Sequence, residues 1–211
     1  MTPTPLARLS LLLSPPLVML GWALMRLLGT DGREPGWTLA HLAWLAGYVL
    51  LAVACVYLYR LTVTGGAPGR RSLAASFLAV ALFGSLCMNT QMAIDLVAGF
   101  ATSTVEAKNA FTDDIQALPG VELLVYQLGP ALLFCALSAQ TIHAYLARRL
   151  PVSVPVLVGL AVLVMVVDRL VDTPFRLTMG VASVLLWIAF TTVVKTRPAT
   201  SASPVDVQRV A

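Results

Sequence analysis

Long apolar blocks alternate with short polar links along the whole chain. Six blocks are candidate membrane spans, at about 9–28, 37–59, 73–98, 121–146, 152–168 and 177–194. A helix rises about 1.5 Å per residue, so roughly 20 apolar residues cross the ~30 Å hydrocarbon layer of a bilayer. The pattern predicts an all-α polytopic membrane protein. It is a six-transmembrane-helix bundle forming one domain over residues 1–195, followed by a disordered, cytoplasmic tail of small and polar residues, 196–211. Pro15 and Pro16 fall inside the first span and Gly129-Pro130 inside the fourth, where the missing amide N–H of proline predicts a bend. The link between spans 3 and 4 is the longest. In it Ser103-x-x-Glu106 matches a capping box, and Ala107, Phe111, Ile115 and Leu118 share a face. These predict a short amphipathic helix lying on the membrane, ended by Pro119-Gly120.

Composition sharpens the class. Hydrophobic residues make up 58% and charged residues 11%, whereas a soluble domain carries about 25% charged residues. The imbalance excludes a water-soluble protein of this length. Cys55, Cys87 and Cys135 all lie in apolar blocks without metal-site spacing and read as small core residues.

Charge then sets the orientation. With the N-terminus inside, Arg8, Arg60, Arg70, Arg71, Arg148, Arg149, Lys195, Arg197 and Arg209 are cytoplasmic. Arg26, Arg33, Lys108, Arg169 and Arg176 face the other side. Basic residues favour the cytoplasmic side, so both termini are expected inside. The basic total is therefore matched to anionic lipid of the bilayer, and nucleic acid is not an expected partner. The overall pattern resembles small six-span bacterial inner-membrane proteins, which implies a multi-pass protein of the cell inner membrane.

Span 3 carries the unusual chemistry. Its second half holds Ser85, Asn89, Thr90, Gln91 and Asp95, and polar groups at membrane depth normally face other helices, water or a ligand. Gly84, Cys87, Gln91 and Asp95 fall on one face. Span 4 offers a stripe containing Glu122, Tyr126, Gln140 and His143, span 2 offers His41, span 5 ends at Asp168, and span 1 offers Arg26. The topology puts His41, Asp95, Glu122 and Asp168 near one level, the outer end of the bundle. The candidate ligand-binding set is thus Gln91, Asp95, Asn89, His41, Glu122, Tyr126, Asp168 and Arg26. Asp95, Glu122 and His41 are the candidates for acid–base work. The plainer reading of Glu122, Asp168 and Asp172 is interfacial charge paired with Arg169 and Arg176. His41 and His143 lie at opposite ends, so they cannot ligate one haem. No zinc-type spacing and no phosphate-binding glycine loop is present, so no cofactor or metal is expected.

Three function classes fit. The first is a non-enzymatic sensor or regulator that binds a ligand, lipid or partner in the bundle. It controls a soluble cytoplasmic protein, for example a transcription factor, through Arg60, Arg70 and Arg71. The second is an intramembrane enzyme acting on a lipid or isoprenoid near the outer leaflet. The third is a small ion-coupled transporter, for which a homo-oligomer is expected.

Overall fold

The computed structural model describes residues 3–28, 35–170 and 178–196, without the side chains of residues 168–170. All regular structure among them is helical. Helix α1 spans Pro5–Leu27, α2 Pro35–Val63, α3 Pro68–Ala101, α4 Val105–Gln116, α5 Gly129–Leu146, α6 Ser153–Leu170 and α7 Thr178–Lys195. Among the described residues, α1, α2, α3, the segment Glu122–Leu146 and α7 are each long and apolar enough to cross a membrane. The apolar run of α6 is shorter, Ser153–Val167. The tail beyond residue 196, and the link holding Asp172 and Arg176, lie outside the described residues.

Local signals explain the helix starts. Thr4 Oγ1 accepts from the amide of Ala7 at 3.2 Å, and Pro5 takes the first helical position of α1, where its missing N–H costs nothing. α1 runs unbroken through Pro15 and Pro16. At α4 the cap is Thr104, whose Oγ1 accepts from the amide of Ala107 at 3.1 Å. The cap is thus one residue beyond the expected Ser103.

The fourth crossing starts unlike the others. Residues Glu122–Leu128 form a π-helical stretch, and the amide of Gly129 reaches the carbonyl of Leu124, five residues back. Pro130 follows, and its missing N–H breaks the ordinary four-residue ladder at this point. The expected bend at Gly129-Pro130 therefore appears as a change of helical register.

Packing closes the long helices into a ring: α1 on α2, α2 on α3, α3 on α5, α5 on α6, α6 on α7, and α7 back on α1. α2 also touches α5 across the middle. Neighbours are antiparallel, as the paired positions show. Trp44 meets Val18, Ser85 meets Tyr48, Phe77 meets His143, and Gly180 meets Trp22. The start of α1 and the end of α7 therefore lie at one end of the bundle.

Size sorts the residues in the manner of a membrane bundle. Ala40, Ala54, Ala81, Gly84, Ala136, Ala144, Ala161, Ala182 and Ala189 are buried, while Leu20, Leu42, Phe83, Leu86, Ile142, Leu163, Trp187 and Ile188 point outward. In lipid there is no hydrophobic drive to bury a leucine, and close approach of small residues provides the contact. The tightest approach is between α3 and α5. A Cβ on Gly84 would lie 2.5 Å from the amide nitrogen of Leu133, and one on Gly129 would lie 2.3 Å from Cys87 Cβ. Side-chain donors tie the crossings where backbone carbonyls have a spare lone pair: Trp44 Nε1–H donates to Val18 O at 2.9 Å, and Ser85 Oγ–H to Tyr48 O at 3.1 Å.

Candidate functional site

Helix α3 is 34 residues long, roughly 51 Å at 1.5 Å per residue, so it overshoots the ~30 Å hydrocarbon at both ends. Centred on its midpoint, Asp95 lies about 16 Å out, at the edge of the hydrocarbon. This is the level at which α2 begins and α4 returns, and the three helices meet here.

His41 is buried in α2, its side chain 3% exposed, and its Nε2 lies 3.5 Å from Asp95 Oδ2, whose side chain is 15% exposed. The other ring nitrogen, Nδ1, sits 2.8 Å from the carbonyl of Trp37. A carbonyl only accepts, so Nδ1 carries a proton. Nε2 then faces the carboxylate beyond short hydrogen-bond range, a contact that is an ion pair when the imidazole is protonated.

Trp37 frames the pair. Its Nε1–H donates to the carbonyl of Asp95 at 3.2 Å, locking the start of α2 to the end of α3. Its ring lies 4.2 Å from the His41 ring, and Trp44 meets His41 edge-on at 5.2 Å. The ammonium of Lys108 sits 3.8 Å from the centroid of the Trp37 ring. Lys108 is the buried residue of α4, 7% exposed. Its aliphatic stem covers apolar surface while its charge meets the negative face of the indole. Phe111 and Ile115 of the expected apolar face are half-buried, and Ala107 is exposed.

The other candidates divide. Gln91 is half-buried one turn below Asp95 on the same face, and Cys87 and Gly84 continue that face into the α5 contact. The face that includes Asp95 therefore points into the bundle. Asn89 bonds within its own helix: its Nδ2–H donates to Ser85 O at 2.7 Å, and its buried Oδ1 has no partner. Tyr126, half-buried in the π-helical stretch, lies within electrostatic reach of Asp95, and its buried hydroxyl has no hydrogen-bond partner. Glu122 is exposed and accepts from Gln127 Nε2 at 3.0 Å, five residues on, the pairing that a π-helical turn favours. Arg26 is exposed near the end of α1. Asp168 lies on the α6 backbone, its side chain outside the described residues, and α6 packs on α5 and α7. The structure thus gathers His41, Asp95, Gln91 and Tyr126, and adds Trp37, Trp44 and Lys108. It leaves Glu122 and Arg26 on the surface. Among the described residues no three His, Cys, Asp or Glu side chains converge as a metal site.

The opposite end is basic. Arg60, Arg70, Arg71 and Arg148 are exposed there, and Arg149 reaches from the end of α5 to the α2–α3 loop. His143 belongs to this end, edge-on to Phe77 at 5.9 Å. Neither a protein family, nor a curated protein, nor a solved structure matches the chain.

Proposed function

We propose that the chain is an integral membrane sensor or regulator, with both termini in the cytoplasm of a bacterial cell. A ligand or proton at the outer His41–Asp95 cluster changes how α4 docks, and the α2–α3 hairpin carries that change to the basic cytoplasmic face. There Arg60, Arg70 and Arg71 hold a soluble protein with an acidic surface. The observation that carries this reading is the contact of buried His41 with Asp95, beside the Trp37 ring on which Lys108 of α4 sits. It joins α2 to α3, and both helices run on to the basic end. A buried charge pair is costly to break, because the partner left behind is unpaired in a low dielectric. A small chemical event there has the leverage to move a helix. α4 lies on the outer membrane surface in this reading, anchored by Lys108 and Phe111.

The intramembrane-enzyme reading is less well supported, because Glu122 faces outward and bonds Gln127 instead of joining Asp95. A small ion-coupled transporter is less well supported for the same reason: one of its two coupling carboxylates stands outside the bundle.

The test is co-purification from the native membrane under mild detergent. A soluble protein is expected with the wild-type chain and with Glu122→Gln. It is expected to be lost from the chain carrying Arg60→Gln, Arg70→Gln and Arg71→Gln, and to change in occupancy with Asp95→Asn. An unchanged complex in both the triple variant and Asp95→Asn would refute the reading. A lipid-modifying activity abolished by Asp95→Asn would replace it with the enzyme.

A further inference from the structure

We propose that the loop of residues 64–67 at the basic end, together with Arg70, Arg71 and Arg149, binds a phosphate group, that of an anionic phospholipid in the adjoining leaflet. Three arginines converge on this loop. Arg149 Nη2–H donates to the carbonyl of Thr64 at 2.6 Å, and Arg71 Nε–H to that of Gly66 at 3.0 Å. The stem of Arg70 runs beside Gly66, where an added Cβ would come within 3.0 Å of Arg70 Cδ. Carbonyls orient guanidinium groups but do not neutralise them. Among the described residues, the helices that meet here bring no carboxylate, since the sequence has no Asp or Glu from residue 35 to 94 or from 123 to 167. Like charges gathered on one loop favour an anion from outside the chain.

Backbone geometry adds donors and room. Ala67, the N-cap of α3, offers no side-chain bond, and Pro68 has no N–H. The first helical hydrogen bond runs from Arg71 N to Ala67 O, which leaves the amides of Gly69 and Arg70 without intrahelical acceptors. An added Cβ on Gly69 would meet nothing within 4 Å, so the space beside them is open. Arg149 is delivered by a turn in which Arg148 has φ 57° and the amide of Arg149 bonds Ala144 O. That left-handed position normally favours glycine.

Buried polar atoms on α5 and in the turn after it lack partners. Arg149 Nε and His143 Nδ1 are buried without partners, and His143 lies within electrostatic reach of Arg70. Gln140, three residues before His143 on α5, is 3% exposed, and both its amide atoms lack partners. Guanidinium groups recognise phosphate oxygens through paired N–H donors. Depth selects the source. Arg70 and Arg71 lie about 21 Å from the midpoint of α3, which is the phosphate level of a bilayer whose half-thickness with headgroups is about 20–22 Å.

The proposal is independent of the outer cluster. A soluble partner would share Arg70 and Arg71, so the test uses the purified full chain alone. Native mass spectrometry measures retention of phosphatidylglycerol against phosphatidylcholine of the same acyl chains. The expected result is ~10-fold tighter retention of phosphatidylglycerol, because phosphatidylcholine carries the same phosphate but neutralises it with its own quaternary ammonium. Arg70→Gln with Arg149→Gln should erase the preference. Arg8→Gln, which removes one exposed charge from the same end without touching the loop, should keep it. Displacement of the lipid by inorganic phosphate would show that a soluble phosphate also enters, with the same recognition. Equal retention of the two lipids by the wild-type chain overturns the proposal without any variant. So does an undiminished preference in a folded Arg70→Gln, Arg149→Gln protein.

Discussion

Replacing Gly129 by alanine should loosen the seam between α3 and α5. The added methyl would stand 2.3 Å from Cys87 Cβ, whereas ordinary contact begins at 3.4 Å. The two helices must part by about 1 Å, or the π-helical stretch must shift, and a gap of that size forfeits a quarter to a half of the local dispersion energy. Overpacking of this kind costs ~1–3 kcal/mol, and the better helix propensity of alanine offsets up to ~1 kcal/mol of it. A net loss of ~1–2 kcal/mol lowers the unfolding midpoint by roughly 2–8 °C for a chain of this size. Tryptophan fluorescence of the protein in nanodiscs, scanned at one heating rate, reads the shift. Moving the missing Cβ to the other helix checks the cause. Cys87→Gly alone should destabilise by ~1 kcal/mol, since glycine is unfavourable within a helix. Combined with Gly129→Ala, it should recover part of the loss instead of adding to it. An alanine variant as stable as the wild type, or two strictly additive losses, would refute the packing argument.

Other outcomes follow from single positions. Gln140→Met should raise stability by ~1–3 kcal/mol, because it removes a buried amide with no partner; a fall in midpoint would reveal that the amide is satisfied. Arg148→Gly should raise the midpoint by the ~1 kcal/mol that relief of a left-handed, non-glycine position supplies, as measured in the same scan. Ser85→Ala, which removes the bond to Tyr48 O, should lower stability by ~0.6 kcal/mol, the typical worth of a hydrogen bond between membrane helices. Lys108→Met should weaken the docking of α4 by ~0.5–2 kcal/mol and quicken amide exchange across Val105–Gln116 with little change elsewhere.

The apolar blocks were enough to place the long helices, because helices that can cross a bilayer need long apolar runs. Their ends were harder to read. α2 and α3 run several residues past the apolar blocks, to Val63 and back to Pro68, since a helix continues through polar interfacial positions until a proline or glycine intervenes. The π-helical start of the fourth crossing was legible only as a bend, because the sequence shows the missing N–H of Pro130 but not which carbonyl the chain will choose instead. In the site, His41, Asp95 and Gln91 were visible from topology and depth. Trp37 carries no polar pattern that marks it in the sequence, and Lys108 counts there only as one of the outer-side charges. The available signal was a lone lysine in an acidic loop that returns to the level of a tryptophan, the complement a cation–aromatic contact needs. Glu122 shared the right depth but not the right face, because the π-helical register rotates it outward, and helical spacing of 3.6 residues does not describe that segment.

The central claim is that the outer cluster and the basic loop are coupled through α2 and α3. Hydrogen exchange of the protein in nanodiscs, compared between the wild type and Asp95→Asn, tests it most directly. The account predicts faster exchange both in α4, Val105–Gln116, and in the loop and first turn at residues 64–71, at the far end of the bundle. Faster exchange in α4 alone, with residues 64–71 unchanged, would contradict it.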